Sequence, residues 1–239
     1  MVGRIHSFQS LGAVDGPGLR CVVFLQGCTL RCAYCHNPDT WSTAGKEYTV
    51  EEVVEKVRRY KPYFGETGGV TVSGGEPLLQ GAFTAELFRR LHEEGIHTVL
   101  DTAGIGDKEN ASAVLLHTDL VLCDLKFHSG SDYLRYCGGK MQTVLRFLRQ
   151  TEAMRVPLWI RHVVVPGLTD GTEHICKINE IAHRFSNLQR LELLPFRKLC
   201  ESKYQEMGLS FPLHGYNECT EETLQELNRI IETEQPNSV

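Results

Sequence analysis

The feature that most limits the folds open to this chain is an alternation of short apolar runs with amphipathic stretches. Such nearly continuous apolar runs are typical of strands buried on both faces of a parallel sheet. Six strands alternating with helices predict an α/β fold with right-handed crossovers, either a partial barrel or an open doubly wound sheet. In both architectures, ligands bind beyond the carboxyl ends of the strands. The predicted strands are Cys21–Gln26, Gly69–Ser73, Thr98–Asp101, Leu120–Lys126, Leu158–Val165 and Leu191–Pro195.

The helices between these strands are predicted from apolar residues at helical spacing. Thr49 to Glu52 reads TVEE, which is typical of a capping box at the start of a helix. No repeat, low-complexity block or linker divides the 239 residues, so a single domain over 1–239 is expected. Its core is predicted over about 19–200, with the two ends of the chain packed on it. The other helical patterns are 83–91, 111–116, 141–150, 175–185 and 224–231.

Composition excludes several functional classes. With 25 Lys+Arg against 30 Asp+Glu, the formal charge is −5, which leaves no basic footprint for nucleic acid or an anionic membrane. The longest stretch without a charged residue is the eleven residues 207–217, whereas a membrane-spanning helix needs about 20 apolar residues. The N-terminus lacks the apolar segment of a signal peptide, and nine cysteines are an odd number for a disulfide framework. A cytoplasmic protein with reduced thiols is therefore expected.

The most specific motif is a cysteine triplet of the form C-x₃-C-x₂-C directly after the first predicted strand. It comprises Cys28, Cys32 and Cys35. A fully ligated 4Fe–4S cluster takes four cysteines, so three would leave one iron open to substrate. Three alternatives remain at this point: a zinc site with His36 as fourth ligand, c-type haem attachment at CAYCH, or three unligated core thiols.

Groups suited to a charged small molecule follow the other predicted strands. Ser73–Pro77 reads SGGEP, and paired glycines let a ligand approach the backbone closely. Arg161 lies among apolar neighbours in the fifth strand and therefore requires a carboxylate or a bound anion as partner. Each group alone has a plain structural explanation, but together they predict a site at the strand ends. The remaining members are Asp101 with Thr102 after the third strand, and Asp124 with Lys126 after the fourth.

With these motifs, the chain resembles the radical S-adenosylmethionine (SAM) superfamily, and within it the activases of glycyl-radical enzymes. The resemblance covers nearly the whole chain and is carried by the cysteine triplet with Tyr34, the GGEP motif and several flanking segments. These segments are GRIHSF from Gly3, VDGPGLR from Val14, GIHT from Gly95, DLK from Asp124 and WIRHVVVPG from Trp159.

The resemblance implies a partial TIM-type barrel of six βα units with its active site at the strand C-terminal ends. It also implies a 4Fe–4S cluster held by Cys28, Cys32 and Cys35, with SAM chelating the fourth iron. One electron from flavodoxin or ferredoxin would cleave SAM to a 5′-deoxyadenosyl radical. In these activases, that radical abstracts a hydrogen from a glycine of the partner lyase. The cofactor would thus supply the reactivity while the protein orients and shields it.

The resemblance also implies roles for individual residues. The residues expected to contact SAM are Tyr34, Gly74, Gly75, Glu76, Asp124 and Lys126. A monovalent cation (Na⁺ or K⁺) beside the methionine carboxylate would be bound by Asp101, Thr102, Asp124 and the Leu122 carbonyl. The glycine-bearing loop of the lyase would be received by Asp15, His36 and Arg161; a purely structural, hydrogen-bonded His36 is the alternative.

The chain departs from the family pattern at two positions. Arg197 stands where these activases commonly have a histidine facing the cofactor, and it is predicted to contact the cofactor instead. Ala103 replaces a common asparagine. No cysteine lies between Cys35 and Gly74, where other activases often carry a ferredoxin-like insert. This absence favours pyruvate formate-lyase as the partner.

Two alternative functions remain. One is a radical SAM enzyme that acts on a small metabolite or on another glycyl-radical enzyme, and the other is a non-catalytic metal-binding protein.

Overall fold

The architecture is one mixed sheet of eight strands flanked by helices. The computed structural model describes residues 1–233, and the strand order across its sheet is β3-β1-β2-β4-β5-β6-β7-β8. β3 and β8 are the two edges, so the sheet is open, as a partial barrel requires. The strands are β1 (Val2–Gly12), β2 (Arg20–Leu25), β3 (Lys46–Thr49), β4 (Gly69–Gly74), β5 (His97–Thr102), β6 (Leu120–Asp124), β7 (Leu158–Val164) and β8 (Leu188–Pro195).

The six strands β2 and β4 to β8 run parallel and coincide with the six predicted from the sequence. Boundaries differ by one or two residues except in β8, which begins three residues earlier, at Leu188. The α/β partial barrel is therefore confirmed. The helices are α1 (Val50–Arg58), α2 (Gly81–Glu93), α3 (Lys108–Leu115), α4 (Gly130–Cys137), α5 (Met141–Ala153), α6 (Thr172–Ala182), α7 (Glu201–Glu206) and α8 (Glu221–Thr233).

Two antiparallel strands and two helices were not predicted. β1 pairs with both β2 and β3 and extends the sheet beyond the parallel part. Its inward positions include Gly3 and Ile5, while Arg4 and His6 face outward. With so few apolar residues, the sequence of β1 lacks the alternating pattern from which a strand is predicted. The helices α4 and α7 are short, and α4 ends at Gly138 in the left-handed conformation.

The predicted capping box of α1 is confirmed. The Thr49 hydroxyl accepts a hydrogen bond from the Glu52 amide, and the Glu52 carboxylate accepts one from the Thr49 amide at 2.7 Å. The valine face of α1 is buried against the sheet. No helix within residues 1–233 is both long and apolar enough to cross a bilayer.

Candidate active site

The cysteine loop follows β2 and is held by backbone hydrogen bonds to two other segments. On one side, the Gly27 amide donates to the Thr40 carbonyl at 2.7 Å, in a short 3₁₀ turn. On the other side, the Arg31 amide donates to the carbonyl of Cys137, the last residue of α4, at 2.8 Å. The cysteines therefore lie at the carboxyl end of the parallel sheet, where the alternation of strands and helices places a ligand site.

The three thiols of the loop are all free, and their environments differ. Cys28 and Cys35 are half-buried, and burial is the main cause that raises their pKa values, to about 12 and about 11. Cys32 is buried, and a hydrogen bond with the Cys137 thiol lowers its pKa to about 7. A bound metal replaces the thiol proton, so such sulfurs ionise on ligation.

The donor set fits an iron–sulfur cluster. Three unpaired thiols on one loop are the ligand type that such clusters use. Among residues 1–233, no three His, Cys, Asp or Glu side chains converge on a point that would hold a single metal ion. The indole Nε1 of Trp41 is buried beside Cys35 without a partner in the protein, which leaves a donor free to face cluster-bound sulfur.

The two glycines after β4 allow a close approach to the start of the cysteine loop. The Gly75 amide donates to the Leu25 carbonyl at 2.9 Å, and the next amide, of Glu76, donates to the Gly27 carbonyl at 2.8 Å. Gly74 has φ +109°, which is the left-handed region. A Cβ on Gly75 would lie 2.2 Å from the Gly27 carbonyl oxygen. Glycine is thus required here by the protein's own packing, whatever ligand binds nearby.

We expect Gly75→Ala to displace the cysteine loop. Because the clashing atom is backbone, relief requires movement of the residues that lead into Cys28. Anaerobically reconstituted variant should retain well under half of the wild-type iron, measured by elemental analysis. The matched control is Gly215→Ala, where no atom lies within 4 Å of the added methyl group and the backbone is not in the left-handed region. Full iron content in Gly75→Ala would contradict this assignment.

Glu76 joins the loop after β4 to the loop after β5. Its side chain is fully buried, and its carboxylate accepts hydrogen bonds from the Thr102 hydroxyl at 2.6 Å and the Leu78 and Ala103 amides at 3.0 Å. Burial raises the pKa of Glu76 to about 7, against these hydrogen bonds, which lower it. The Glu76 and Thr102 side chains are therefore hydrogen-bonded to each other, and this bond holds together two loops at the carboxyl end of the parallel sheet.

The strand ends β5, β6 and β7 bring together the charged residues predicted there. Arg161 donates from Nε to Asp124 Oδ1 at 3.1 Å and from Nη2 to Asp101 Oδ1. Lys126 Nζ donates to the second oxygen of Asp124 at 3.0 Å, and the Ser73 hydroxyl donates to Asp101 at 2.7 Å. The expectation that Arg161 has a carboxylate partner is confirmed, because it has two.

These charges stabilise one another in a poorly solvated place. Burial raises the pKa of Asp101, with Arg161 opposing the rise. Burial acts on Asp124 in the same direction, but Lys126 and Arg161 outweigh it and lower its pKa to about 2. Although burial alone would lower the pKa of Lys126, the neighbouring carboxylate raises it well above its usual value. The cluster therefore pairs two carboxylates with two cations.

The remaining predicted site residues lie around this charge cluster. The Tyr34 hydroxyl donates to the Lys126 carbonyl at 3.2 Å and so links the cysteine loop to the end of β6. Asp15 is half-buried within the electrostatic reach of Arg161. His36 is exposed and hydrogen-bonds through Nε2 to the Arg197 carbonyl at 2.9 Å. The Leu122 side chain is buried within β6, paired with Asp101 of β5.

Arg197 is directed to the C-terminal segment rather than to the charge cluster. Its guanidinium donates to the Cys219 carbonyl and, at 2.7 Å, to Glu221 at the start of α8. Three residues beside the site escaped sequence reasoning, namely Ser73, Trp41 and Cys137. Ser73 had a signal, since it precedes the predicted glycine pair. Trp41 and Cys137 had none, because only the folded chain brings them to the cysteine loop.

A buried histidine behind the charge cluster predicts acid sensitivity. His162 is 1% exposed and donates from Nδ1 to the Leu125 carbonyl at 2.8 Å, while its Nε2 has no partner. Burial lowers the pKa of His162 to about 4, below the usual histidine value of 6.5. The folded protein then binds fewer protons than the unfolded chain between these values, so stability is lost as pH falls from about 6.5 to 4.

The lowered pKa of His162 corresponds to a loss of about 3 kcal/mol in the free energy of unfolding across this pH range. Urea unfolding across this pH window should show the loss, and His162→Gln should flatten the dependence while keeping a donor to Leu125. His174 contacts the His162 ring and also has a lowered pKa, so part of the slope should remain. An identical slope in wild type and variant would refute the assignment to His162.

An open parallel barrel with a three-cysteine loop and a charged mouth defines a class of enzyme that holds an iron–sulfur cluster at its strand ends. The family model of the Radical SAM superfamily matches residues 22–178. The pyruvate formate-lyase-activating enzyme of Clostridium pasteurianum is 46% identical over 233 residues, covering 97% of this chain and 98% of the relative. The enzyme of that name from Staphylococcus aureus USA300 is 42% identical, with 96% and 95% covered. The chain belongs to the radical SAM superfamily and, within it, to the family of pyruvate formate-lyase-activating enzymes.

Solved structures agree with the fold. A domain of pyruvate-formate lyase-activating enzyme from Bacteroides vulgatus superposes with a TM-score of 0.58 at 24% identity, covering 70% of this chain and 94% of that one. Streptococcus suis SuiB, bound to its precursor peptide SuiA, superposes with a TM-score of 0.67 at 14% identity over 88% of this chain and 44% of that one. Membership of the superfamily assigns a 4Fe–4S cluster and SAM to this chain as its cofactors.

Proposed function

We propose that this protein activates pyruvate formate-lyase by generating a glycyl radical on it. The observation that carries the proposal is full-length similarity, at 42–46% identity, to enzymes named for that activity, combined with a free cysteine triplet at the barrel mouth. The similarity covers 97% of this chain, so it extends beyond residues 22–178, which the superfamily model matches.

In this proposal, Cys28, Cys32 and Cys35 hold the cluster through three sulfurs and leave one iron for SAM. When bound, the cluster held by these sulfurs would supply the single electron for reductive cleavage of SAM. The surrounding loops exclude water from the reacting atoms and orient them. Tyr34 supports this arrangement, because its hydroxyl fixes the cysteine loop to the Lys126 carbonyl.

The charge cluster is proposed to bind the methionine end of SAM. The backbone at Gly74 and Gly75, together with Glu76, would receive the ammonium group, and Lys126 and Asp124 lie beside the position of the carboxylate. Arg197 would have to leave Glu221 and the Cys219 carbonyl to contact SAM. We therefore propose that the contact from Lys126 contributes more to SAM binding than the contact from Arg197.

We also propose that a monovalent cation accompanies SAM at this place. Asp101 and Asp124 are balanced by Arg161 and Lys126, so the cluster is neutral before a ligand arrives. The SAM carboxylate would lie beside the carboxylates of Asp101 and Asp124, and a Na⁺ or K⁺ ion between them would lower the repulsion among these negative groups. The Thr102 hydroxyl and the Leu122 carbonyl are the proposed neutral ligands, and Thr102 would then exchange its bond to Glu76 for the cation.

The glycine-bearing loop of the lyase is proposed to bind across Asp15, His36 and Arg161. His36 is exposed at the mouth, and Asp15 and Arg161 are near enough to interact electrostatically. Carboxylate, imidazole and guanidinium groups are suited to the amides and carbonyls of an extended peptide.

The electron donor is proposed to be flavodoxin or ferredoxin, and the cytoplasm is the proposed location. All nine cysteines lie within the described residues and none of them forms a disulfide, which suits a reducing compartment. A cluster with an open iron also needs protection from oxygen, so exposure to air should inactivate the purified protein.

The proposal is tested by anaerobic incubation of the reconstituted enzyme with SAM, a reductant and pyruvate formate-lyase. An EPR doublet from a glycyl radical on the lyase, with formation of 5′-deoxyadenosine, is the expected result. Deoxyadenosine without a doublet on any candidate lyase would instead indicate a small-metabolite substrate. A lyase whose radical-bearing glycine is replaced by alanine is the control.

A further inference from the structure

The fold brings a fourth cysteine to the cluster-binding triplet. Cys137 is fully buried at the end of α4, where its thiol lies beside that of Cys32. Two backbone bonds hold this contact: the Arg31 amide donates to the Cys137 carbonyl at 2.8 Å, and the Ala33 amide donates to the Tyr136 carbonyl at 2.7 Å. Cys32 lies between these two bonds and is thereby fixed against the end of α4.

A second donor faces another sulfur of the triplet. The Trp41 indole Nε1 is buried beside the Cys35 thiol and has no hydrogen-bond partner in the protein. The ring cannot turn away easily, because the Arg31 guanidinium lies 4.8 Å above it and the Tyr204 ring meets it edge-on at 5.9 Å. A buried N–H without an acceptor is costly, so the Cys35 sulfur is its natural acceptor.

We propose that Cys137 and Trp41 are positioning residues that donate hydrogen bonds to the cluster-ligating sulfurs of Cys32 and Cys35. The inference rests on the cluster assigned above to the triplet. Ligating sulfurs are thiolates and can only accept, so Cys137 keeps its proton and acts as the donor. Negative charge on the sulfurs increases when the cluster is reduced, and hydrogen bonds to them favour the reduced form. Both donors therefore raise the reduction potential of the cluster.

The competing role for Cys137 is that of a fourth ligand. In that case it would occupy the iron that SAM needs, and replacing it would remove iron or change how SAM binds. A donor makes a different prediction. Its loss leaves the iron content and the response to SAM intact and shifts only the potential.

The test uses reconstituted full-length Cys137→Val, Cys137→Ser and Trp41→Phe, with Cys21→Ala as a control for the loss of a buried thiol elsewhere. Cys21 is fully buried in β2, outside the cysteine loop. Iron and sulfide content are measured first. The reduced fraction of the cluster is then followed by EPR during a redox titration without substrate lyase.

We expect all four variants to hold wild-type iron and sulfide. In Cys137→Val and Trp41→Phe, the ratio of reduced to oxidised cluster at a fixed solution potential should fall about fivefold, which is roughly 40 mV for a one-electron couple. Cys137→Ser retains a hydrogen-bond donor, so its cluster should have a reduction potential near that of wild type. The same is expected of Cys21→Ala. Circular dichroism of each variant establishes that it is folded.

The inference would be overturned if folded Cys137→Val and Trp41→Phe variants had the same cluster reduction potential as wild type. It would also be overturned if Cys137→Val lost iron, because Cys137 would then be a ligand of the cluster. A wild-type protein that assembles no cluster would instead defeat the proposed function itself. The two failures are therefore distinguishable.

Discussion

Replacing any one of Cys28, Cys32 or Cys35 with alanine is expected to abolish cleavage of SAM. Each supplies one of three sulfurs, and two sulfurs cannot hold the cluster at the barrel mouth. Reconstituted variants should lose most of their iron and form no 5′-deoxyadenosine above the rate without enzyme. Iron analysis and chromatography of the nucleoside products measure both effects.

The matched control for these variants is Cys21→Ala. This change also removes a thiol, but from a fully buried position in β2, so iron content and SAM cleavage should stay near wild type. Any triplet variant that cleaves SAM at more than a small fraction of the wild-type rate would show that its sulfur is dispensable and that the ligand assignment is wrong.

Arg161→Met is expected to lower the free energy of unfolding by about 3–5 kcal/mol. The guanidinium bridges Asp101 and Asp124, whose side chains are only 12% and 25% exposed. Without it, Lys126 remains as the cation that contacts Asp124, and Asp101 keeps only the Ser73 hydroxyl as a partner. Denaturant unfolding of the cluster-free protein, monitored by circular dichroism, measures the loss.

The control is Arg89→Met on the exposed face of α2, where Arg89 pairs with Glu86 and Glu93. Exposed ion pairs are screened by solvent and contribute little to stability, so that variant should be nearly as stable as wild type. The double variant Arg161→Met/Asp101→Asn should recover part of the loss, since it removes one uncompensated charge. Equal stability of Arg161→Met and Arg89→Met would contradict the buried role of Arg161.

The parallel part of the fold could be predicted because its strands are buried on both faces and therefore read as continuous apolar runs. The same reasoning identified Arg161, since a guanidinium among apolar neighbours requires carboxylate partners, and these follow the two preceding strands. β1 could not be found in this way. Its outward face carries Arg4 and His6 on the exposed side of an antiparallel pair, and alternation with so few apolar residues resembles a loop.

The parts of the site that are formed by contiguous sequence motifs could be predicted. The triplet and the glycine pair are contiguous in sequence, so their chemistry is visible before folding. The structure adds that Gly75 is required by the Gly27 carbonyl and that both oxygens of Glu76 are bonded within the protein. The approach of Cys137 to Cys32 depends on where α4 ends against the cysteine loop. No local pattern encodes that distance, because it results from packing between segments far apart in the chain.

The proposed function requires that the three cysteines bind a cluster with one iron open to SAM. The most direct test combines iron and sulfide analysis of anaerobically reconstituted protein with EPR of the reduced sample before and after SAM is added. About four irons and four sulfides per chain, with a spectrum that changes on addition of SAM, are predicted. About one zinc without sulfide, or a spectrum that SAM leaves unchanged, would contradict it.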